Sequence, residues 1–239
     1  MSGARIGSGL LSTMRVVWQE QHTFLATHPL ARISRLFCMN KNLAPLSHPP
    51  ELRRALLLNN SLQHIHLPRC LIGDAGCLAI CKSIKCLPNI LTLDLSGCDL
   101  TPLGAGYIAE LVKYQKIHRY SENWTHTLRY RLPELDAMAG MRRITLCANP
   151  QLGDMGVAKL IDVLADDLWI KALDIQNCGI TEITAAAVQQ MMTSNNTLVI
   201  LDLRNNLDVT AESLAKIRST LRGNERGMEG KVRCIEIIR

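Results

Sequence analysis

Apolar residues recur along the chain in a short motif with the spacing L-x-x-L-x-L-x-x-N/C. Five clean copies of this motif start at Leu62, Ile90, Met141, Ile170 and Leu198. Their starts are 28, 51, 29 and 28 residues apart, so the long step equals one repeat plus an insertion of about 23 residues. A degenerate copy at Ile33 and a last strand at Val232 extend the array. This regularity predicts a solenoid of stacked units.

The centre of each copy alternates apolar and polar residues, as expected of a strand with one buried face. In the second copy, Leu93 and Leu95 should point into the core, while Thr92 and Asp94 should point outward. The Cys or Asn at the ninth position ends the strand, where the chain turns and its backbone groups need partners.

A helix is predicted after each strand. Thr101-Pro102 indicates an N-cap followed by proline in the first turn, and Thr181-Glu182, Asp74 and Asp154 lie at matching places. Apolar residues then recur at helical spacing, for example over Leu160–Leu164.

Parallel strands on a concave face and helices on a convex face define an α/β leucine-rich repeat solenoid. A period of 28 to 29 residues favours, by analogy, the ribonuclease-inhibitor-like subclass. We divide the chain into three parts. Residues 1–32 are an atypical segment that could form a helical cap, residues 33–222 are the repeat domain with its insertion at about 113–140, and residues 223–239 are a C-terminal loop and last strand.

Composition narrows the class of protein. Hydrophobic residues make up 47% of the chain and charged residues 20%, which excludes disorder throughout. No apolar run approaches the length of a membrane span, and the net charge of +6 is too dispersed to indicate a nucleic-acid partner. Nine cysteines, an odd number, and the lack of a recognisable secretory signal predict a reduced, cytoplasmic protein.

The insertion is unusual because three tyrosines and a tryptophan alternate with basic residues between Lys113 and Pro133. We expect a long loop, since the next strand begins only at Met141, and such loops are usually functional or disordered. Its aromatic content argues against plain disorder. It is compatible with an acidic partner, with a phosphoinositide or with simple cover of the solenoid's side, although lipid contact is not our expectation.

No catalytic or cofactor site is predicted. Cys70, Cys98 and Cys178 occupy the ninth repeat position and are expected to serve packing. His64 and His66 project from the same face of one strand, so a metal site there is an alternative to a solvated pair. No Ser or Cys has the local sequence of an activated nucleophile.

The concave face is the expected binding surface, because the stacked strands expose a continuous sheet there. Asp94, Asp174 and Asp202 occupy the same slot in three units and should form a broken acidic line flanked by Arg143 and Arg204. Such a groove suits a basic or mixed peptide surface, although Asp is also tolerated there for solubility alone.

One stretch is more specific than the repeats. Residues 124–149 read WTHTLRYRLPELDAMAGMRRITLCAN, and they resemble the equivalent part of the centrosomal protein of 78 kDa family. Weaker similarity covers roughly residues 33–207. The resemblance implies a non-enzymatic scaffold of centrosomes, centrioles and basal bodies, a cytoskeletal location, support of cilium biogenesis, and protein partners that include components of a centrosomal ubiquitin ligase.

The same resemblance points to residues for partner binding. Within the insertion these are Trp124, Arg129, Tyr130 and Arg131. Asp174, Asp202 and Arg204 on the groove are the second choice. The chain departs from the family at both ends, since residues 1–32 differ from the usual start and no coiled coil follows; a truncated or short form is therefore expected. A general cytosolic leucine-rich repeat module unrelated to centrioles is the alternative.

Overall fold

The computed structural model of the protein describes residues 34–37, 61–126 and 138–227. Its strands, β1 to β6, are Arg35–Phe37, His64–His66, Thr92–Asp94, Arg143–Thr145, Ala172–Asp174 and Ile200–Asp202. Its helices, α1 to α5, are Gly73–Ile84, Pro102–His126, Gly153–Leu164, Glu182–Met191 and Ala211–Gly227. The predicted α/β leucine-rich repeat solenoid is confirmed, including a strand at the degenerate first copy. The predicted strand at Val232 lies outside the described residues.

The six strands form one parallel sheet in the order β1 to β6, so each repeat pairs only with its neighbours. The register keeps equivalent residues side by side, as in the row Leu36, Ile65, Leu93, Ile144, Leu173 and Leu201. These central residues point into the core, whereas the strand residues before and after them lie on the concave face. The alternation predicted for Leu93 and Asp94 is therefore confirmed.

The core lies between the sheet and the helices and is built almost entirely of aliphatic side chains. Leu95, Ile108, Leu146 and Leu160 are all fully buried within it. No helix in the described part of the chain is both long enough and apolar enough to cross a bilayer.

The ninth repeat position satisfies buried backbone groups of the preceding repeat. The Asn149 Oδ1 atom accepts hydrogen bonds from the backbone N–H groups of Cys98 and Leu100, at 2.9 and 3.1 Å. Its Nδ2 atom donates to the carbonyl oxygens of Leu95 and Leu146, at 3.0 and 2.8 Å. Asn206 repeats this pattern one turn of the solenoid later.

Cysteine fills the same position in other repeats and contributes a donor as well as packing. The Sγ atoms of Cys98 and Cys178 lie 3.1 Å from the carbonyl oxygens of Leu67 and Leu146, the strand ends of the preceding repeats. Both thiols are fully buried, which confirms the packing prediction. Burial raises the pKa of each to about 12, so both remain protonated donors at neutral pH.

The helix starts correct one prediction. Thr181 is the N-cap of α4, and its side chain accepts from the Ile183 N–H as expected. Asp74 and Asp154, in contrast, cap nothing on their own helices. The Asp154 carboxylate instead accepts from the backbone N–H and the hydroxyl of Thr181 in the next repeat, both at 2.8 Å.

Two further pairs repeat this inter-repeat clip. Asp74 binds the N–H and hydroxyl of Thr101, at 3.0 and 2.5 Å. Glu182 accepts from the Thr210 N–H at 3.0 Å. Gly104 leaves room for the first clip, because a Cβ there would lie 2.5 Å from the Asp74 Oδ1 atom. The acidic residue thus fixes the cap of the following helix.

The insertion corrects a second prediction. A long loop was expected from about Lys113, but α2 continues without a break to His126, giving a helix of 25 residues where α1 has 12. Aromatic and polar residues that suggested a loop are accommodated because one flank of this extension is packed on the next repeat. The domain limits at 32, 222 and 239 remain predictions.

Truncating a core leucine should destabilise the solenoid. Leu95→Ala or Leu203→Ala leaves a cavity in a buried row, and we expect each to lower the free energy of unfolding by about 2–5 kcal/mol in urea titrations. Leu207→Ala is the matched control, since Leu207 is 98% exposed and its truncation should change stability by no more than about 0.5 kcal/mol. Equal stability of all three variants would contradict the repeat register.

Candidate protein-binding surface

The concave face presents two rows of side chains with different charge. The row at the start of the strands contains Arg35, His64, Thr92, Arg143, Ala172 and Ile200. The row at their ends contains Phe37, His66, Asp94, Thr145, Asp174 and Asp202. A partner lying across the groove would therefore meet basic and neutral groups on one side and carboxylates on the other.

The predicted acidic line exists and is interrupted once. Thr145 separates Asp94 from Asp174, whereas Asp174 and Asp202 are direct neighbours on β5 and β6. Side chains on adjacent parallel strands stand about 5 Å apart. The three carboxylates thus lie on one surface within reach of a single extended segment.

Asp94 is held in its ionised form by its neighbours. Its Oδ1 atom accepts from the hydroxyl and the N–H of Ser96, at 2.5 and 3.0 Å. The Nδ1 atom of His66 lies 3.4 Å from the Asp94 Oδ2 atom. Burial by itself would raise the pKa of Asp94, but these hydrogen bonds outweigh it, and the pKa lies below its ordinary value.

Asp174 is in the opposite situation. Burial and the charge of Asp202 raise its pKa, and they outweigh the hydrogen bonds from the backbone and side-chain amides of Gln176. Asp202 is neutralised by Arg204, whose guanidinium binds both carboxylate oxygens at 2.6 to 3.0 Å. Of the three acids, Asp174 is therefore the one with the least compensation for its charge.

His64 and His66 do share the concave face, with rings 6.2 Å apart and nearly parallel. The Nδ1 atom of His64 lies 2.9 Å from the Thr92 hydroxyl, and that of His66 faces Asp94. Across residues 34–37, 61–126 and 138–227, no three His, Cys, Asp or Glu side chains are grouped as metal ligands would be. The geometry accounts for both rings as members of the groove's polar network.

The residues chosen for partner binding divide into two sets. Asp174, Asp202 and Arg204 are brought together on the groove as predicted. Trp124 lies on the last turns of α2, while Arg129, Tyr130 and Arg131 lie outside the described residues. The proposed role of both sets in binding remains a prediction.

A cluster that sequence reasoning missed anchors the insertion. Arg119, only 4% exposed, donates from Nε to the carbonyl oxygen of Ala139 at 3.0 Å and from Nη2 to that of Met141 at 3.3 Å. Its guanidinium lies 5.1 Å from the ring centroid of the buried Trp169, which Tyr120 meets edge-on at 5.0 Å. An arginine amid other basic residues gives no sequence signal of burial.

Comparison with known proteins supplies the relationship. The family model described as "Leucine Rich repeat" matches residues 58–81 and 86–109. The centrosomal protein of 78 kDa from Homo sapiens is 45% identical over 155 residues, which cover 65% of this chain and 22% of that protein. The chain is a leucine-rich repeat protein related to the centrosomal protein of 78 kDa. The resemblance found in the sequence is thereby confirmed.

More distant relatives extend the match. The protein Cep78 homolog of Drosophila melanogaster is 33% identical over 192 residues, covering 77% of this chain and 24% of that protein. The chain thus spans about a fifth to a quarter of the length of these relatives. A solved structure of the leiomodin-1 actin-binding site 2 is 13% identical with a TM-score of 0.44, covering 89% of this chain and 91% of that one. A match at that level says nothing about what the chain binds.

Neutralising two acids of the groove should have opposite effects on stability. The ionised form of Asp94, with its lowered pKa, stabilises the fold at neutral pH, and this contribution is lost as the pH falls through the folded-state pKa. The ionised form of Asp174, with its raised pKa, destabilises the fold at neutral pH. We expect Asp94→Asn to lower and Asp174→Asn to raise the free energy of unfolding, each by about 1 kcal/mol or less.

The measurement is urea unfolding of both variants and the parent at pH 7 and at about pH 3. Both differences should shrink at the lower pH, because the native carboxyls are then increasingly protonated. Destabilisation by Asp174→Asn at pH 7 would contradict the assigned electrostatics of the groove.

Proposed function

We propose that this chain is a non-enzymatic, protein-binding scaffold of the centrosome and basal body. The observation that carries the proposal is the 45% identity over 155 residues with the human centrosomal protein of 78 kDa, whose name states its location. The exposed, polar concave sheet of the solenoid supports a binding role, since stacked repeats offer an extended surface to a partner.

The partner is a protein surface that carries basic groups toward the acidic row. Asp174 supports this view, because a buried carboxylate with a raised pKa would gain from a cation brought against it. Asp202 and Arg204 provide a second, mixed contact. Trp124, Arg129, Tyr130 and Arg131 in the insertion are proposed as a further contact set, because large aromatic and arginine side chains carry much of the energy of protein interfaces.

Finer roles follow the same relationship. We propose that the chain supports cilium assembly and associates with centriolar proteins and with a centrosomal ubiquitin ligase, without a cofactor. A cytosolic leucine-rich repeat module unrelated to centrioles is the alternative, and location separates the two.

The test of location is a fluorescently tagged copy of the 239-residue chain in ciliated cells stained for a centriole marker. Foci that coincide with the marker, at centrosomes of cycling cells and at the base of cilia, are the expected result. A diffuse cytoplasmic signal at comparable expression would favour the general module and count against the centrosomal role of this chain.

Variants then separate the two contact sets. We expect Trp124→Ala with Arg129→Ala, or Asp174→Asn with Asp202→Asn, to reduce recovery of the partner in pull-downs and the intensity of centriolar foci. Arg218→Ala with Arg222→Ala is the control, because both arginines are exposed on the convex helix α5. Unchanged recovery with intact circular dichroism would remove that set from the interface.

A further inference from the structure

The extension of α2 creates a ledge on the convex side of the solenoid. Repeats one and two are offset by 28 residues, so the last residue of α1, Ile84, is equivalent to Val112 of α2. Residues 113–126 therefore run on past the end of α1, for about 20 Å at the helical rise. One flank of this projection packs on the next repeat through Gln115 and Arg119. The opposite flank faces the end of α1.

The corner between that flank and α1 is organised around Tyr114. The Lys85 ammonium group lies 4.1 Å from the centroid of the Tyr114 ring, in cation–π geometry. The Sγ atom of Cys86 lies 3.6 Å from the Tyr114 hydroxyl, and the His118 ring lies 6.2 Å from the Tyr114 ring. The aromatic ring is thus held in place by the last residues of α1 rather than left to rotate freely.

The surface around this ring combines positive charge with exposed apolar area. It consists of Lys82, Lys85, Lys113, Tyr114, Ile117 and His118, which we call the α1–α2 basic surface. Ile117 is 57% exposed, although it is a large aliphatic residue on the projecting helix. The three lysines are exposed around it. Lys116 is turned to the other flank, where it binds Asp166 at 2.6 Å.

We propose that the α1–α2 basic surface binds an acidic protein segment that seats an apolar side chain on Ile117 and Tyr114. An apolar and aromatic centre surrounded by charged groups is the usual anatomy of a protein-binding patch. The lysines complement acidic residues flanking the anchor and would favour encounter with such a segment. The inference rests on the proposed role as a protein-binding scaffold, but it concerns a surface separate from the groove and partners of the opposite charge.

A protein segment suits this surface better than a membrane or a nucleic acid. Clusters that bind anionic lipid usually contain about four to eight Lys and Arg residues. This surface has three lysines, and one of them lies over an aromatic ring. Its exposed isoleucine also gives no advantage to a phosphate backbone, whereas it offers an anchor to a peptide.

The test is a fluorescence-anisotropy titration of the full chain with a short labelled peptide of glutamate and leucine. The same peptide with lysine in place of glutamate is the comparison probe. We expect the acidic peptide to bind more tightly, with an affinity that falls at high salt. Lys85→Gln with Lys113→Gln should weaken its binding by about tenfold, and Ile117→Ser should weaken it without changing the salt dependence.

The matched control is Arg218→Gln with Arg222→Gln, which removes the same charge from exposed positions of α5 and should leave the affinity unchanged. Equal weakening by both double variants, or no preference for the acidic peptide, would overturn the proposal. Lysine-dependent binding to vesicles containing anionic lipid, with none to the peptide, would also overturn it. Localisation of the tagged chain does not depend on this result, so the centrosomal role can fail or survive independently.

Discussion

The polar backbone at the turn after each strand is buried, and it can be satisfied only by the adjacent repeat. Asn149 supplies two acceptor contacts and two donor contacts to such turns, while Cys98 offers a single donor. Because an unsatisfied buried backbone group costs as much as a lost hydrogen bond, the stacking order and the register of the strands follow from this requirement. Cysteine can replace asparagine because its buried thiol stays protonated.

The same register determines the electrostatics of the concave face. Equivalent positions of successive strands must lie side by side, so repeated aspartates are brought together whether or not their charges are compensated. Asp94 and Asp202 each have a partner, His66 and Arg204 respectively. Asp174 has amide donors alone and a like charge beside it. An uncompensated charge in a groove is a common sign that stability has been traded for recognition.

Most of the fold could be predicted from the sequence, because apolar spacing determines both the strand register and the helix positions. Leu93, Cys98 and Thr181 all behave as their repeat positions indicate. Asp74 and Asp154 were assigned to the wrong helix, since a local pattern cannot distinguish a cap of one helix from a contact to the next. The helical extension of α2 was missed because its order depends on burial of Arg119 against residues twenty or more positions away.

Arg119 also brings together the two ends of the segment that leaves the solenoid after α2. Its guanidinium joins the helix to Ala139 and Met141, and Gly140 lies so close to it that any Cβ would collide. With both ends held by the body of the protein, the entropy of closing the intervening chain changes little with its length, by about 0.6 kcal/mol for each doubling. The segment between these ends can therefore be shortened, extended or exchanged as a cassette, with the repeats on either side left in register.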